Sequence, residues 1–264
     1  MNFLTANSLQ LLLGKKIVID GVNVAICENE FVGLIGPNGA GKSSLLRLLA
    51  GLIKPTLGDV NLCSDKQTLR PLTKIPLPER ARFMAYLAQH ETPAWPLSVQ
   101  NLVALGRSPW NDNAIRSSLD DEASILKAMQ MTDVDLLANR PITELSGGEL
   151  QRALLARVFA GEPKIILADE PIAALDIYHQ LHVMELLLNH ACAGGAVVAA
   201  LHDLSLAARF CSRLILLHHG KIIAQGKPIH VLTPENLASV YGISAHVDCR
   251  DDGVVIIPKM RISN

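Results

Sequence analysis

The sequence predicts an α/β fold: a core built on a mixed, largely parallel sheet, with an inserted α-helical subdomain and a small C-terminal appendage. Three observations predict it. "EFVGLIG" (30–36) is a short apolar run that stops at a glycine loop, and "KSSLLRLLAG" (42–51) then reads as a helix, giving the order strand, loop, helix. "KIILADE" (164–170) and "GAVVAALHD" (195–203) are further apolar runs ending in polar residues, with the helical stretch "IYHQLHVMELLLNHA" (177–191) between them. Buried strands alternating with helices form parallel sheets whose functional groups gather at the carboxyl ends. From about 93 to 144 the strand-like runs vanish, and "SVQNLVALG" and "DDEASILKAMQ" carry the apolar spacing of amphipathic helices.

The remaining elements follow in order. Gly51 closes the first helix. "RLILLHHGKIIAQG" (213–226) reads as a hairpin turning at Gly220, which adds an antiparallel edge and makes the sheet mixed. "PIHVLTPENLASVYG" (228–242) predicts a short helix and "HVDCRDDGVVIIP" (246–258) a small strand pair. The chain is thus expected to be one domain: core 1–92 and 145–226, helical subdomain 93–144, appendage 227–264. No internal repeat or low-complexity tract interrupts it.

Composition narrows the function classes. The 264 residues, 49% hydrophobic, suffice for one large core with a subdomain. Lys plus Arg number 24 against 25 Asp plus Glu, so a net charge of -1 offers no field for a nucleic-acid backbone, and no nucleic-acid partner is expected. Cys27, Cys63, Cys192, Cys211 and Cys249 form no C-x-x-C pair and no zinc spacing, and read as reduced, mostly buried thiols of a cytosolic protein. "MNFLTANSLQLLLGKK" lacks the basic start and cleavage site of a secretory signal, and no apolar stretch reaches the roughly 18 to 20 residues of a membrane span. A soluble chain is expected.

The chemistry starts at "GPNGAGKS" (36–43), which fits G-x-x-x-x-G-K-[S/T] in the strand-to-helix context the motif requires. Gly36, Gly39 and Gly41 let the backbone curl so that its N–H groups face an anion, and the helix adds its positive end. Gly36, Pro37, Asn38, Gly39, Ala40, Gly41, Lys42, Ser43 and Ser44 are the expected nucleotide cradle, with Lys42 reaching the β- and γ-phosphates and Ser43 on Mg²⁺. A glycine turn with a capping serine is the bland alternative, and the complete match tells against it. At the end of "IILADE", Asp169 is placed to hold Mg²⁺ and Glu170 to orient and deprotonate the attacking water. His202 ends the next strand; a lone histidine is usually structural, but a strand's carboxyl end favours function. Gln89 in "MAYLAQH" also follows an apolar run, and its amide is a candidate ligand of Mg²⁺ or water.

"LSGGELQR" (145–152) raises a different question. Ser146 with Glu149 three residues on is a capping box, and Leu150, Ala153, Leu154 and Val158 share one helical face. That explains neither Gly147 nor Gly148, each of which costs about 1 kcal/mol relative to Ala in a formed helix. Bare N–H groups at a positive helix end admit a phosphate.

With "GPNGAGKS", Gln89, "LSGGELQR", "IILADE", "AALD" and His202 in that order, the chain resembles, over nearly its whole length, the ATP-binding subunit of an ABC transporter, and so a P-loop NTPase (ABC ATPase) core. The resemblance implies that Gln89 is the Q-loop, that 174–176 form the D-loop and that His202 is the switch histidine on the γ-phosphate. It implies ATP and Mg²⁺, the metal held by Ser43, Gln89 and Asp169, with Glu170, His202, Lys42 and Gln89 as catalytic residues. It also implies a head-to-tail homodimer in which Ser146, Gly147 and Gly148 face the γ-phosphate held by the other subunit. Family members often have an aromatic residue stacking on adenine where this chain has Leu13, so an apolar contact or a neighbour must serve, and "AALD" has alanine where Ser is frequent.

"SVQNLVALGRSPW", "HDLSLAARFCSRLILLHHGKIIAQG" and "VLTPENLASVYGI" are similar to ATPases of importers for iron(III)-siderophores, haem and cobalamin. This implies ATP-driven uptake of an iron(III)-siderophore or related metal chelate, with haem or cobalamin as alternatives. It further implies a homodimeric permease docked on 89–110, a separate extracytoplasmic substrate-binding protein, and a peripheral location at the cytoplasmic face of the inner membrane. A non-transport soluble ABC ATPase is the alternative from another class, disfavoured by the single domain and the lack of sustained heptads. Five histidines (179, 182, 190, 218 and 219) are spread over a helix and a hairpin and read as solvated. Trp95 and Trp110 are either packing anchors or part of the permease contact.

Overall fold

The computed structural model describes residues 1–64, 68–89, 95–110, 119–250 and 253–262, the side chains of 249, 250 and 253 excepted. The predicted subdomain boundary at 93 and the centre of the C-terminal hairpin at 251–252 lie outside these residues.

Two long strands open the chain, β1 (Asn2–Leu13) and β2 (Lys16–Cys27), turned at Gly14 with φ 62°. After β3 (Glu30–Ile35) and α1 (Lys42–Leu49) come β4 (Leu57–Leu62) and β5 (Arg70–Pro71), then α2 (Leu77–Phe83) and β6 (Met84–Leu87). The order β2-β1-β4-β5 is an antiparallel sheet that the sequence reading did not anticipate. Its apolar alternation is interrupted by register shifts between Ala6 and Leu9 and by Ser8 in the left-handed region, φ 47°, which scramble a period of two.

The helical part holds α3 (Val99–Ala104), a 3₁₀ segment Leu105–Trp110, and α4 (Leu119–Met131), packed on α5 (Gly147–Ala160). The core resumes with β7 (Ile165–Asp169), α6 (Ile177–Cys192), β8 (Ala196–Ala200), α7 (Leu204–Phe210), β9 (Arg213–His218) and β10 (Lys221–Gly226). The second sheet runs β10-β9-β3-β8-β7-β6, parallel throughout except for the β9–β10 hairpin. It is mixed, as predicted. Strand alternation divides its side chains between two apolar layers. Val32, Leu34, Val198 and Ile215 pack with α1 and the antiparallel sheet, whereas Phe31, Ile35, Val197 and Leu216 pack with residues of α5, α6 and α7.

The single helix expected in 228–242 is two, α8 (Pro228–Val231) and α9 (Pro234–Tyr241). Pro234 cannot continue a helix from α8 but suits a first turn, and the Thr233 hydroxyl caps α9 by accepting from the Asn236 amide at 3.2 Å. β11 (Ile243–Arg250) and β12 (Gly253–Arg261) form an antiparallel pair.

Candidate phosphate-binding and hydrolytic site

Parallel register brings the carboxyl ends of β3, β7 and β8 side by side: Leu34 pairs with Ala200, and Ala200 with Asp169. Gly36, Glu170 and His202 each lie one or two residues beyond those ends. Gly36, Gly39 and Gly41 take φ 146°, 78° and 107°. A Cβ on Gly36 would stand 2.1 Å from the Leu217 carbonyl oxygen, so that position has no room for a side chain. α1 begins at Lys42 with Gly41 as an N-cap that offers no side chain, and its first turn carries no acid. Its leading N–H groups therefore face the loop without a competing side-chain anion.

The Lys42 ammonium is buried and donates to the carbonyls of Gly36 at 2.7 Å and Pro37 at 3.2 Å. Desolvation pushes its pKa down, while the nearby carboxylates of Glu170 and Asp169 oppose the shift. The amine thus closes the loop on itself.

Asp169, 1% exposed, accepts from the Ser43 hydroxyl at 3.0 Å on Oδ1 and from the Tyr86 hydroxyl at 3.4 Å on Oδ2. Burial raises the Tyr86 pKa, which keeps that hydroxyl protonated as a donor, and Arg47 Nε donates to it at 3.5 Å. Tyr86 was missed by sequence reasoning. Its signal was its place in "MAYLAQ" on β6, directly opposite Leu167 of β7. The Ser43 and Asp169 oxygens form a pair of hard donors at the loop, the set that Mg²⁺ prefers. They fit that ion.

Glu170 leaves β7 in the left-handed region, φ 53°, its amide bonded to the Ala200 carbonyl at 3.2 Å. Such a backbone costs a non-glycine residue on the order of 1 kcal/mol and here aims the side chain out of the sheet. Glu170 Oε1 meets His202 Nε2 at 2.5 Å. Gln89 and Glu170 line a cleft of about 450 Å³ together with Asn38, Lys42, Lys16 and Val18. A carboxylate so placed can take a proton from a water beside a bound phosphate. Leu13 is not among the cleft walls; it is 58% exposed at the end of β1, where it pairs with Lys16.

Ser146, Gly147 and Gly148 do not line that cleft. The capping box is formed: the Glu149 amide donates to Ser146 Oγ at 3.3 Å and the Ser146 amide to Glu149 Oε2 at 2.8 Å, which holds the Glu149 carboxyl below its ordinary pKa. The glycines face the 174–176 turn of their own chain instead. A Cβ on Gly147 would come 3.5 Å from the Ala174 Cβ, and one on Gly148 3.3 Å from the Ala174 oxygen. One chain therefore assembles 36–44, Gln89, Asp169, Glu170 and His202, and presents 146–148 elsewhere.

Three histidines expected to be solvated are not: the His179 ring bonds Asp176 at 2.9 Å, His182 Nε2 bonds the Met131 carbonyl at 2.8 Å, and His190 packs edge-on to Phe159 at 6.2 Å, where burial lowers its pKa. Trp95 is 74% exposed, whereas Trp110 stacks on Arg107 and Arg82 and donates to the Gly161 carbonyl at 3.0 Å. Among the described residues no helix is long and apolar enough to cross a membrane.

A family model described as ABC transporter matches residues 19–173. The chain is 42% identical over 238 residues to the hemin import ATP-binding protein HmuV of Streptomyces coelicolor, covering 89% of this chain and 82% of that one. It is likewise 42% identical over 242 residues to the ferric enterobactin transport ATP-binding protein FepC of Escherichia coli, covering 91% and 87%. Among solved structures, an inward-facing metal-chelate type ABC transporter superposes with TM-score 0.81 at 24% identity over 98% of both chains. An ATP-binding cassette solved as a dimer with ADP and Pi superposes with TM-score 0.72 at 28% identity over 85% of this chain and 98% of that one.

Proposed function

This chain belongs to the ABC transporter family, and on that premise we propose that it is the ATP-hydrolysing subunit of an importer for an iron(III)-siderophore or a related metal chelate such as haem. The observation that carries the hydrolytic reading is the pairing of Glu170 with His202 beside the Ser43–Asp169 pair, all at the mouth of one phosphate loop.

In this reading the N–H groups of 36–44 cradle the phosphates, and Lys42 exchanges the Gly36 and Pro37 carbonyls for phosphate oxygens. Ser43, Asp169 and Gln89 would hold Mg²⁺, which when bound neutralises charge on the β- and γ-phosphates. Water attacks the γ-phosphorus in line, the bond to the bridging oxygen breaks with its electrons leaving on ADP, and Glu170 takes the water's proton. His202 orients Glu170 and donates toward the γ-phosphate. Ser146, Gly147 and Gly148 of a second copy cover the same γ-phosphate in a head-to-tail homodimer, supported by the separation of the two anion sites within one chain and by the dimeric relative. ATP closes the pair and hydrolysis releases it, biasing a two-state permease dimer docked on 89–110. The chain sits peripherally at the cytoplasmic face of the inner membrane, with a substrate-binding protein on the other side.

Equal identity to a haem-import and a ferric-enterobactin protein supports an iron chelate as cargo class. Reconstitution with the cognate permease and binding protein tests this. ATPase stimulation by a ferric siderophore or haem is the expected result; stimulation by neither, or recovery of a soluble partner with no permease, overturns it.

A further inference from the structure

The far end of α5 carries a buried ionic latch that the hydrolytic site does not use. Arg107, 8% exposed, donates from Nε to Asp121 Oδ1 of α4 at 2.7 Å and from Nη1 to the Ala160 carbonyl at 3.1 Å and to Glu162 Oε2 at 3.1 Å. Asp121 is 2% exposed. The Trp110 indole donates to the next carbonyl, Gly161, and its ring lies 5.2 Å from the Arg107 guanidinium carbon and 5.5 Å from that of Arg82. Gly106 lets the backbone come in this close, since a Cβ there would stand 2.1 Å from the Arg157 oxygen. The 3₁₀ segment Leu105–Trp110 thus satisfies the orphan carbonyls at the C-terminus of α5 and ties them to α4.

Burying an ion pair carries a desolvation penalty and seldom adds net stability over an apolar packing, so its use lies in fixing geometry. The other end of α5 is Gly147. Its 14 residues make a rod of about 21 Å at 1.5 Å per residue. A tilt of about 5° at the latch moves the glycines by about 2 Å, and misplacement of about 1 Å is enough to cost on the order of 100-fold in an assembled site. We propose that Arg107 is a positioning residue: seated between Asp121 and the last carbonyls of α5, it sets the aim of Ser146, Gly147 and Gly148 at the ATP of a second copy without touching nucleotide. This rests on the reading that 146–148 complete the partner's site.

The test uses the full chain carrying Glu170→Gln, which removes the proposed base so that ATP-bound dimers are expected to accumulate. Arg107→Lys keeps the charge but loses the planar fork that serves three acceptors at once, and Trp110→Phe removes only the indole donor. Monomer ATP affinity within twofold of the parent, with the protein concentration for half-maximal ATP-driven dimerisation raised at least tenfold in Arg107→Lys and by less in Trp110→Phe, is the expected result. Two results overturn the proposal: a folded Arg107→Lys chain that dimerises at the parental concentration, or parallel loss of melting temperature, ATP affinity and dimerisation, which marks a structural role only. Should Arg107→Lys fail to fold, a Trp110→Phe chain with parental dimerisation also overturns it. Failure of the Glu170→Gln parent itself to dimerise with ATP refutes the composite-site reading instead.

Discussion

Glu170 Oε1 and His202 Nε2 lie 2.5 Å apart, joining the ends of β7 and β8 across a carboxylate that has already turned out of its strand. The contact holds the carboxylate at the edge of the cleft that Glu170 lines. Replacing Glu170 with Gln preserves shape and hydrogen bonding but removes the proton acceptor, so ATP affinity should hold while steady-state phosphate release falls at least about 100-fold. Phosphate release at the parental rate sinks the assignment of Glu170 as base.

The adenine contact that the proposed reading requires offers the next expectation. Leu13 pairs with Lys16, a cleft wall, across the β1–β2 turn, and is 58% exposed. An aromatic ring there gains a stacking face at little cost to the core. Leu13→Tyr should tighten ATP by about 2- to 10-fold, the equivalent of about 0.5–1.5 kcal/mol for an aromatic contact. Titration with a fluorescent ATP analogue reads it, and GTP, competing for the same face, should tighten in step.

What the sequence disclosed, and what it hid, divides along locality. The phosphate loop is eight contiguous residues whose glycines act through their own backbone, and Asp169, Glu170 and His202 are marked by the strands they end, so these were legible. The antiparallel sheet was not, because Ser8 and the register shifts of β1 break its period. α2 has no buried residue and hence no apolar face to betray it. Tyr86 joins Asp169 from 83 positions away, and Arg107 meets Ala160 from 53, contacts that only the assembled sheet and helices create.

Lys42 bonds the carbonyls of its own loop, a role separate from the phosphate contact proposed for it. Its two bonds to Gly36 and Pro37 carbonyls are lost in Lys42→Ala, each worth about 1 kcal/mol net. The variant should therefore lose stability by about 1–2 kcal/mol in urea titration before any nucleotide is added, and bind ATP at least tenfold more weakly. Parental stability with weakened binding dissociates the two roles and shows the loop holding its shape without the amine.

The two glycines of "LSGGELQR" can be separated by what each faces within its own chain. A Cβ on Gly147 meets Ala174 at 3.5 Å, an ordinary contact, whereas one on Gly148 presses on the Ala174 oxygen at 3.3 Å. Among the described residues nothing thus forbids a side chain at Gly147, and the helix would gain from one, by up to about 1 kcal/mol. Gly147→Ala should raise or leave unchanged the urea midpoint of the isolated chain and leave its ATP affinity intact. If a second copy's γ-phosphate must approach that bare backbone, the same variant weakens ATP-driven dimerisation, and Gly147→Asp, which adds a negative charge, abolishes it. A gain in stability joined to a loss of dimerisation is the pattern expected of a residue kept small for a partner. Gly147→Asp chains that still pair in ATP would falsify the composite site, because no phosphate could then lie against the N-terminus of α5.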